Sequence, residues 1–316
     1  MTESDSLHKR GVESTSRLDK LPDGLFKVAL FAATIVWGGG YTAMKGAVDV
    51  FAPATLLGVR FSLAALLVLI VFIKPIKRSL DKRTFLIGLL LGTLFFLAFW
   101  AQTIGLTDTT PGKNAFLTAT FCVLTPFAYW AVGHRRPTVQ NILIALVCLF
   151  GIGLVSLNGD FQMRFGDAMT LVGALFYALH IAVLGRYSQT SNVFPLLFMQ
   201  FAVCGVWGLL IGLPFEAQPS LQAVFDLSTV GQMAYLVLLA TFFACSMQNI
   251  GQSRIPPNQA SIILSLESVF GVLFSVLLYG ETLTLRVILG FAVIFIAIVA
   301  DELLATKELS WRKKTT

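Results

Sequence analysis

Apolar residues run through this chain in ten blocks of about twenty residues, parted by short polar stretches. The blocks lie near 26–46, 52–73, 84–106, 111–133, 138–157, 167–187, 193–213, 230–252, 257–279 and 284–304. A helix rising 1.5 Å per residue needs about 20 apolar residues to cross a hydrocarbon core of about 30 Å. In lipid a helix also satisfies its own backbone polar groups. The pattern therefore predicts an all-α integral membrane protein with ten transmembrane helices, called spans one to ten below. Short loops make sequence neighbours antiparallel and leave no room for an extramembrane domain. Residues 1–25 form a polar tail. The first apolar block lacks a small-residue cleavage site and reads as a retained span, not a signal peptide.

The blocks repeat. At a shift of 146, Phe96, Ala98, Gln102, Ile104 and Gly105 meet Phe242, Ala244, Gln248, Ile250 and Gly251. At 145, Pro111 and Ala115 meet Pro256 and Ala260; at about 140, Trp37 meets Tyr177 and Arg60-Phe61 meets Gln200-Phe201. The expected organisation is a cytoplasmic tail (1–25), a five-helix repeat (26–157), a connector (158–166), a second five-helix repeat (167–304) and a basic cytoplasmic tail (305–316). Asn158-Gly159-Asp160 supplies turn chemistry for the connector. An odd unit copied once in tandem sits upside down relative to its twin. Two inverted five-helix repeats are the pattern of an alternating-access carrier with its site at the midplane.

Composition agrees: 56% of the 316 residues are hydrophobic, only 13% are charged, and the mean hydropathy is +0.79. The net charge of +6 does not point to nucleic acid, because the cations gather on one side. With the amino terminus inside, Lys74, Lys77, Arg78, Lys82, Arg83, Arg135, Arg136, Arg186 and Arg254 fall in cytoplasmic loops. Lys45, Lys113, Arg164 and Arg286 face the other way. The positive-inside rule then places both termini in the cytoplasm and the chain in the cell membrane. Cys122, Cys148, Cys204 and Cys245 fall one to a span, without metal or redox spacing, and read as small core residues.

The stretches WGGGYTAMK at 37–45, VRF at 59–61 and SLESVFGVLFSVLLYGETLTLRVILG at 265–290 resemble the EamA-type family of the drug/metabolite transporter superfamily. The resemblance covers essentially the whole transmembrane region. It implies a ten-helix exporter of small metabolites, often amino acids or related compounds. Members often carry a glutamate after span four, as Glu281 stands after span nine; here that stretch reads Gly133-His134-Arg135-Arg136-Pro137. The family's common Glu-Pro pair in span nine appears as Glu267-Ser268. These departures leave the substrate class open.

Trp37, Arg60, Tyr177, His180 and Glu267 are the candidate substrate path. Glu267 lies about ten residues into span nine, about 15 Å deep. An ionisable group there costs about 2.5–3.5 kcal/mol on insertion scales, so it faces a cavity or a partner. Glu267 is a candidate for proton coupling or for recognising a substrate amine, or else fixes helix packing. Its repeat mate is Cys122. Arg60, about 12 Å below the outer face, has three roles open: a fork onto a substrate carboxylate, a pair with Glu267, or snorkelling. Trp37 and Tyr177 suit the wall of a cavity or a core. His180 is a candidate proton relay or a packed, hydrogen-bonded residue. Gln102 and Gln248 fall toward opposite faces as candidate gate or capping positions.

Gly38-Gly39-Gly40 permits either close helix approach or local opening. Asn258, Ser261, Ser265, Ser268, Gly271 and Ser275 form a small-residue seam, answered in span four by Asn114, Thr118, Cys122, Thr125 and Tyr129. Pro126 and Pro195 are placed to bend spans four and seven. No Walker, HExxH or GxSxG sequence occurs, and no clustered Cys/His ligands. ATP hydrolysis, an enzymatic role, a metal and a cofactor are therefore not expected.

The expected partners are a small-molecule substrate, membrane lipids and, with Glu267 and His180 as the titrating groups, protons. A homodimer is compatible with this. The leading expectation is a secondary transporter, in the export direction. An importer or a nucleotide-sugar or sugar-phosphate exchanger stands second, with fewer midplane cations than such anions need. A membrane-embedded lipid enzyme and a structural membrane subunit are the non-transport alternatives.

Overall fold

A computed structural model describes residues 21–133, 136–156, 164–279, 284–286, 288–297 and 300. Every regular element among them is helical. The first half contains α1 (Asp23–Ala47), α2 (Pro53–Ser79), α3 (Lys82–Thr107), α4 (Pro111–Thr118), α5 (Phe121–Ala131) and α6 (Val139–Ser156). The second begins with α7 (Phe165–Tyr187), α8 (Val193–Phe215), the single turn α9 (Leu221–Val224) and α10 (Leu227–Ala234). A π-helical segment (Tyr235–Phe243) leads into α11 (Ala244–Gln252), then α12 (Pro257–Leu264), α13 (Glu267–Tyr279) and α14 (Ile288–Ala297).

The short loops carry explicit start signals. Prolines occupy the first turn of α2, α4 and α12, where the missing N–H has no helical partner to lose. Asp81, Thr110, Asn192 and Asp226 accept a hydrogen bond from the first turns of α3, α4, α8 and α10.

Seven stretches are long and apolar enough to cross a membrane: α1, α2, α3, α7, α8, Leu227–Gln252 and Pro257–Leu278. Three of the ten expected spans fall short of that as single apolar helices. Span four is divided at Ala119–Thr120 into α4 and α5. Span five yields an apolar helix over Val139–Gly151 and span ten one over Ile288–Ala297. The far end of span ten, Glu281, His134, Arg135 and the connector turn lie outside the described residues.

One helix expectation changes. Pro195 sits in the first turn of α8, where it bends nothing. The kink lies in α2 instead: Phe72 departs from helical geometry (φ −116°, ψ 27°) three residues before Pro75, and the helix continues to Ser79. A proline ring clashes with the carbonyl four residues back, which opens the turn there.

α2 packs along α8, α3 along α7 and α8, and α1 along the π segment, α11 and α13. Shifted by about 146 residues, most of these pairs have counterparts. The α3–α7 contact answers α1–α11, α5–α7 answers α1–α13, and α4–α13 answers α5–α12. The breaks match too: Ala119–Thr120 divides α4 from α5, and Ser265–Leu266 divides α12 from α13. Each is a tight turn of three-residue hydrogen bonds, Cys122 N–H to Ala119 O and Ser268 N–H to Ser265 O, both 3.1 Å.

The α2–α8 pair is held at backbone contact. A Cβ on Gly208 would lie 2.4 Å from the Gly58 nitrogen and 2.6 Å from its Cα. Gly205 and Gly212 meet Ser62 and Thr55 as closely, so one face of α8 is a small-residue groove. The glycine triplet resolves the same way. α1 runs unbroken through Gly38, where a Cβ would overlap Phe270 of α13.

Candidate functional site

A cavity of about 40 Å3 lies between α1, α2, α3 and α5 on one side and α7, the π segment, α11, α12 and α13 on the other. Trp37, Arg60, Tyr177 and Glu267 all line it, as do Gln102 and Gln248. Four helices of the first half and five elements of the second thus bring together residues up to 230 positions apart (37 and 267). Six of the seven singled-out residues meet here. The two glutamines share one chamber instead of standing apart toward opposite faces.

A hydrogen-bonded chain crosses the chamber. The Tyr41 hydroxyl donates to Glu267 Oε1 at 3.0 Å and accepts from Gln102 Nε2 at 3.0 Å. Gln102 Nε2 also donates to Thr118 Oγ1, and Gln102 Oε1 accepts from the Tyr177 hydroxyl at 2.9 Å. Asn114 Nδ2 ties the Gln102 carbonyl to Thr170 Oγ1. Gln102 is therefore fixed in orientation, since each polar atom of its amide is engaged. The chain passes from α13 through α1 and α3 to α7. Tyr41 was not anticipated, although it stands one helical turn from Trp37 on the same face of α1.

Glu267 does not sit in mid-helix. It opens α13 directly after the Ser265–Leu266 break, in a first turn where a helix favours negative charge. Its side chain is 5% exposed.

Arg60 is 2% exposed and, among the described residues, makes no ion pair with Glu267 or any other acid. Its Nε donates to Thr241 Oγ1 at 2.6 Å, and Nη1 approaches the Met44 Sδ, a weak acceptor, at 3.7 Å. The guanidinium carbon lies 5.1 Å from the centre of the Phe61 ring and 4.9 Å from that of Phe99. The π segment makes this possible. Its widened turn lets Thr241 Oγ1 donate to Leu236 O five residues back while accepting from Arg60. Ala240 O, from the same segment, accepts from Trp37 Nε1 at 2.7 Å.

Gln248 is 3% exposed, yet its Oε1 has no donor among the described residues. That is the point where the two glutamines differ. His180, fully buried, is not part of the cavity wall. It stacks on Phe95 with ring centres 4.6 Å apart, and its Nε2 meets Gln200 Oε1 at 2.7 Å. Gln200, the mate of Arg60, is held by Asn249 and serves packing there. Cys122, the mate of Glu267, lies with its sulfur 3.3 Å from that of Cys148; both thiols are free.

Apolar spanning helices wrapped around a polar, partly charged chamber define a membrane protein of the transporter class. The sequence profile of the EamA-like transporter family matches residues 26–157 and again 164–300, so the chain belongs to that family, within the drug/metabolite transporters. An uncharacterised transporter of Archaeoglobus fulgidus is 32% identical over 282 residues, covering 87% of this chain and 85% of its own. The uncharacterised transporter YoaV of Bacillus subtilis is 25% identical, with 83% and 91% covered. A solved protein structure at 14% identity shares the fold, with a TM-score of 0.71 over 90% of this chain and 98% of that one.

Proposed function

We propose that the chain is a secondary transporter of small amphipathic metabolites, amino acids or related compounds among them, working by alternating access at this cavity. The carrying observation is the cavity itself, which lies at the seam between the two halves and is lined by residues from both. The scaffold in this reading is ten helices in two inverted five-helix repeats, 26–157 and 167–304. The paired helix breaks, the matching contacts and the double match of the family profile support it. Rocking of one half on the other along the α2–α8 groove would expose the chamber to each side in turn. The membrane is the cell membrane, with both termini cytoplasmic. Export is the direction the family resemblance implies.

Trp37, Tyr177 and Phe99 supply the apolar wall and Arg60 a fixed cation. Glu267 is the proton-coupling group, reporting its state to both halves through Tyr41 and Gln102. His180 acts at a distance, by holding α7 to α8 through Gln200. Flux of labelled metabolites in proteoliposomes, with and without a pH gradient, tests this. Wild type should respond to the gradient and Glu267→Gln should not. Folded protein that moves nothing across a broad panel would refute the carrier reading, and wild-type pH dependence in Glu267→Gln would refute the coupling role.

A further inference from the structure

We propose that the ligand of this cavity is a small organic acid: its carboxylate sits on Arg60, its apolar body lies against the aromatic wall, and a separate N–H or O–H reaches Gln248. The inference rests on the carrier reading and specifies what the carrier takes. Arg60 carries a charge that the described residues leave without a counter-ion. Its Nε is committed to Thr241, but the end-on edge formed by Nη1 and Nη2 holds only a weak thioether contact from Met44. A carboxylate forks onto such an edge with two parallel hydrogen bonds and displaces a sulfur acceptor easily. Phe61 and Phe99 hold the guanidinium from its flanks and add no anionic oxygen.

Gln248 supplies the second, independent mark. Buried polar atoms are hydrogen-bonded as a rule, and an orphan in a cavity wall waits for a ligand group. Its mate Gln102 is saturated by Tyr41, Thr118 and Tyr177, so the vacancy is confined to one side of the chamber. Trp37, Phe99, Phe121, Ile181 and Leu264 complete the apolar wall against which the ligand's body would lie.

Calorimetry on the purified full-length protein tests this with matched compounds: 2-hydroxy and 2-amino acids, their primary amides, the deoxy acids and the corresponding phosphate monoesters. Acids should bind about 10–100-fold tighter than their amides, the range for hydrogen bonds to a charged group. Deoxy acids should bind about 10-fold more weakly than hydroxy or amino acids. Arg60→Gln should bring the acid-to-amide ratio to about 1, whereas Arg60→Lys keeps a preference for acids at lower affinity. Gln248→Leu should abolish the advantage of the hydroxy or amino group and leave the acid preference. Amides or phosphate esters binding as tightly as acids would overturn the inference, as would an unchanged ratio in Arg60→Gln. Acids bound but never carried in proteoliposomes would sink the transporter reading while this one stands. Neutral compounds carried with no preference for acids would do the reverse, and no binding by any compound would end both.

Discussion

Replacing Gly208 with alanine asks whether the α2–α8 contact is as close as its geometry requires. The added Cβ would sit 2.4 Å from Gly58 N, 2.6 Å from Gly58 Cα and 2.8 Å from Ala54 O. Comfortable contacts of carbon begin at about 3.5 Å, so the deficit is about 1 Å against backbone that cannot rotate away. The helices must part, and a gap of 0.5–1 Å forfeits a quarter to a half of each dispersion well along the seam. Overpacking of this kind costs about 1–3 kcal/mol. Alanine returns about 0.8–1 kcal/mol in helix propensity, leaving a net loss of up to about 2 kcal/mol. Gly231→Ala is the matched control: nothing lies within 4 Å of its Cβ position, so only the propensity gain remains. Parallel unfolding of the two variants in one detergent should separate them by the packing term alone. Arg60 lies two residues beyond Gly58, so ligand affinity should fall in Gly208→Ala as α2 shifts. Equal stability of the two variants would refute the backbone-contact account.

Arg60→Met should leave the ligand-free protein within about 1 kcal/mol of wild type. Removing a buried unpaired charge offsets the lost Thr241 bond and two cation–π contacts of about 0.5–1 kcal/mol each. A loss of 3–5 kcal/mol in thermal unfolding would instead indicate a broken buried ion pair. Lys113→Met should destabilise by about 1–2 kcal/mol, because Asp167, 5% exposed, loses its 2.6 Å partner between α4 and α7; unchanged unfolding would show that this contact holds nothing. Hydrogen bonds from the Thr84 backbone N–H and hydroxyl hold the Asp81 carboxyl below its usual range at the start of α3. Its folded value is depressed, so its contribution is complete above the unfolded value of about 3.9 and lost as pH falls through the folded one. Asp81→Ala should therefore cost about 0.5–1 kcal/mol at pH 7, with the gap to wild type closing in acid; a gap that persists at about pH 2 would exclude the cap.

Hydropathy located the helices well where one helix fills one apolar block, as in α1, α7 and α8. It could not see the breaks. Ala119-Thr120 and Ser265-Leu266 contain no glycine or proline, and the turns there keep helical dihedral signs, so no local residue preference marks them. The π segment YLVLLATFF is apolar apart from Tyr235 and Thr241 and equally silent. Charge was the better guide to the chamber, because Arg60 and Glu267 are too costly to place against lipid. Depth alone misplaced the emphasis on His180. Whether a buried histidine faces a void or a stacked ring depends on Phe95, eighty-five positions away in sequence (180 − 95). Gln102 and Gln248 were legible as mates, but their convergence depends on how the halves are docked.

What the two halves share is packing, and what they do not share is chemistry. The matching helix contacts and the paired helix breaks keep the framework alike. Arg60 stands opposite Gln200, Glu267 opposite Cys122, and the π segment opposite regular helix in α3. On the inverted-repeat reading, the two open states exchange the environments of matched positions. Two identical halves would then give states of equal energy, and no ligand or proton could prefer one of them. A ligand shifts an equilibrium only by its differential affinity for the two states. On that reading any bias between the two orientations must reside in the unmatched residues. Two of the unmatched charged groups, Arg60 with Thr241 and Glu267 with Tyr41, lie at one chamber. Restoring symmetry there, with Glu267→Cys and Arg60→Gln together, should leave the fold intact and bring the two orientations toward equal population, read as equal cysteine labelling from either face. A persistent bias toward one face would place the asymmetry elsewhere, in the loops or the tails.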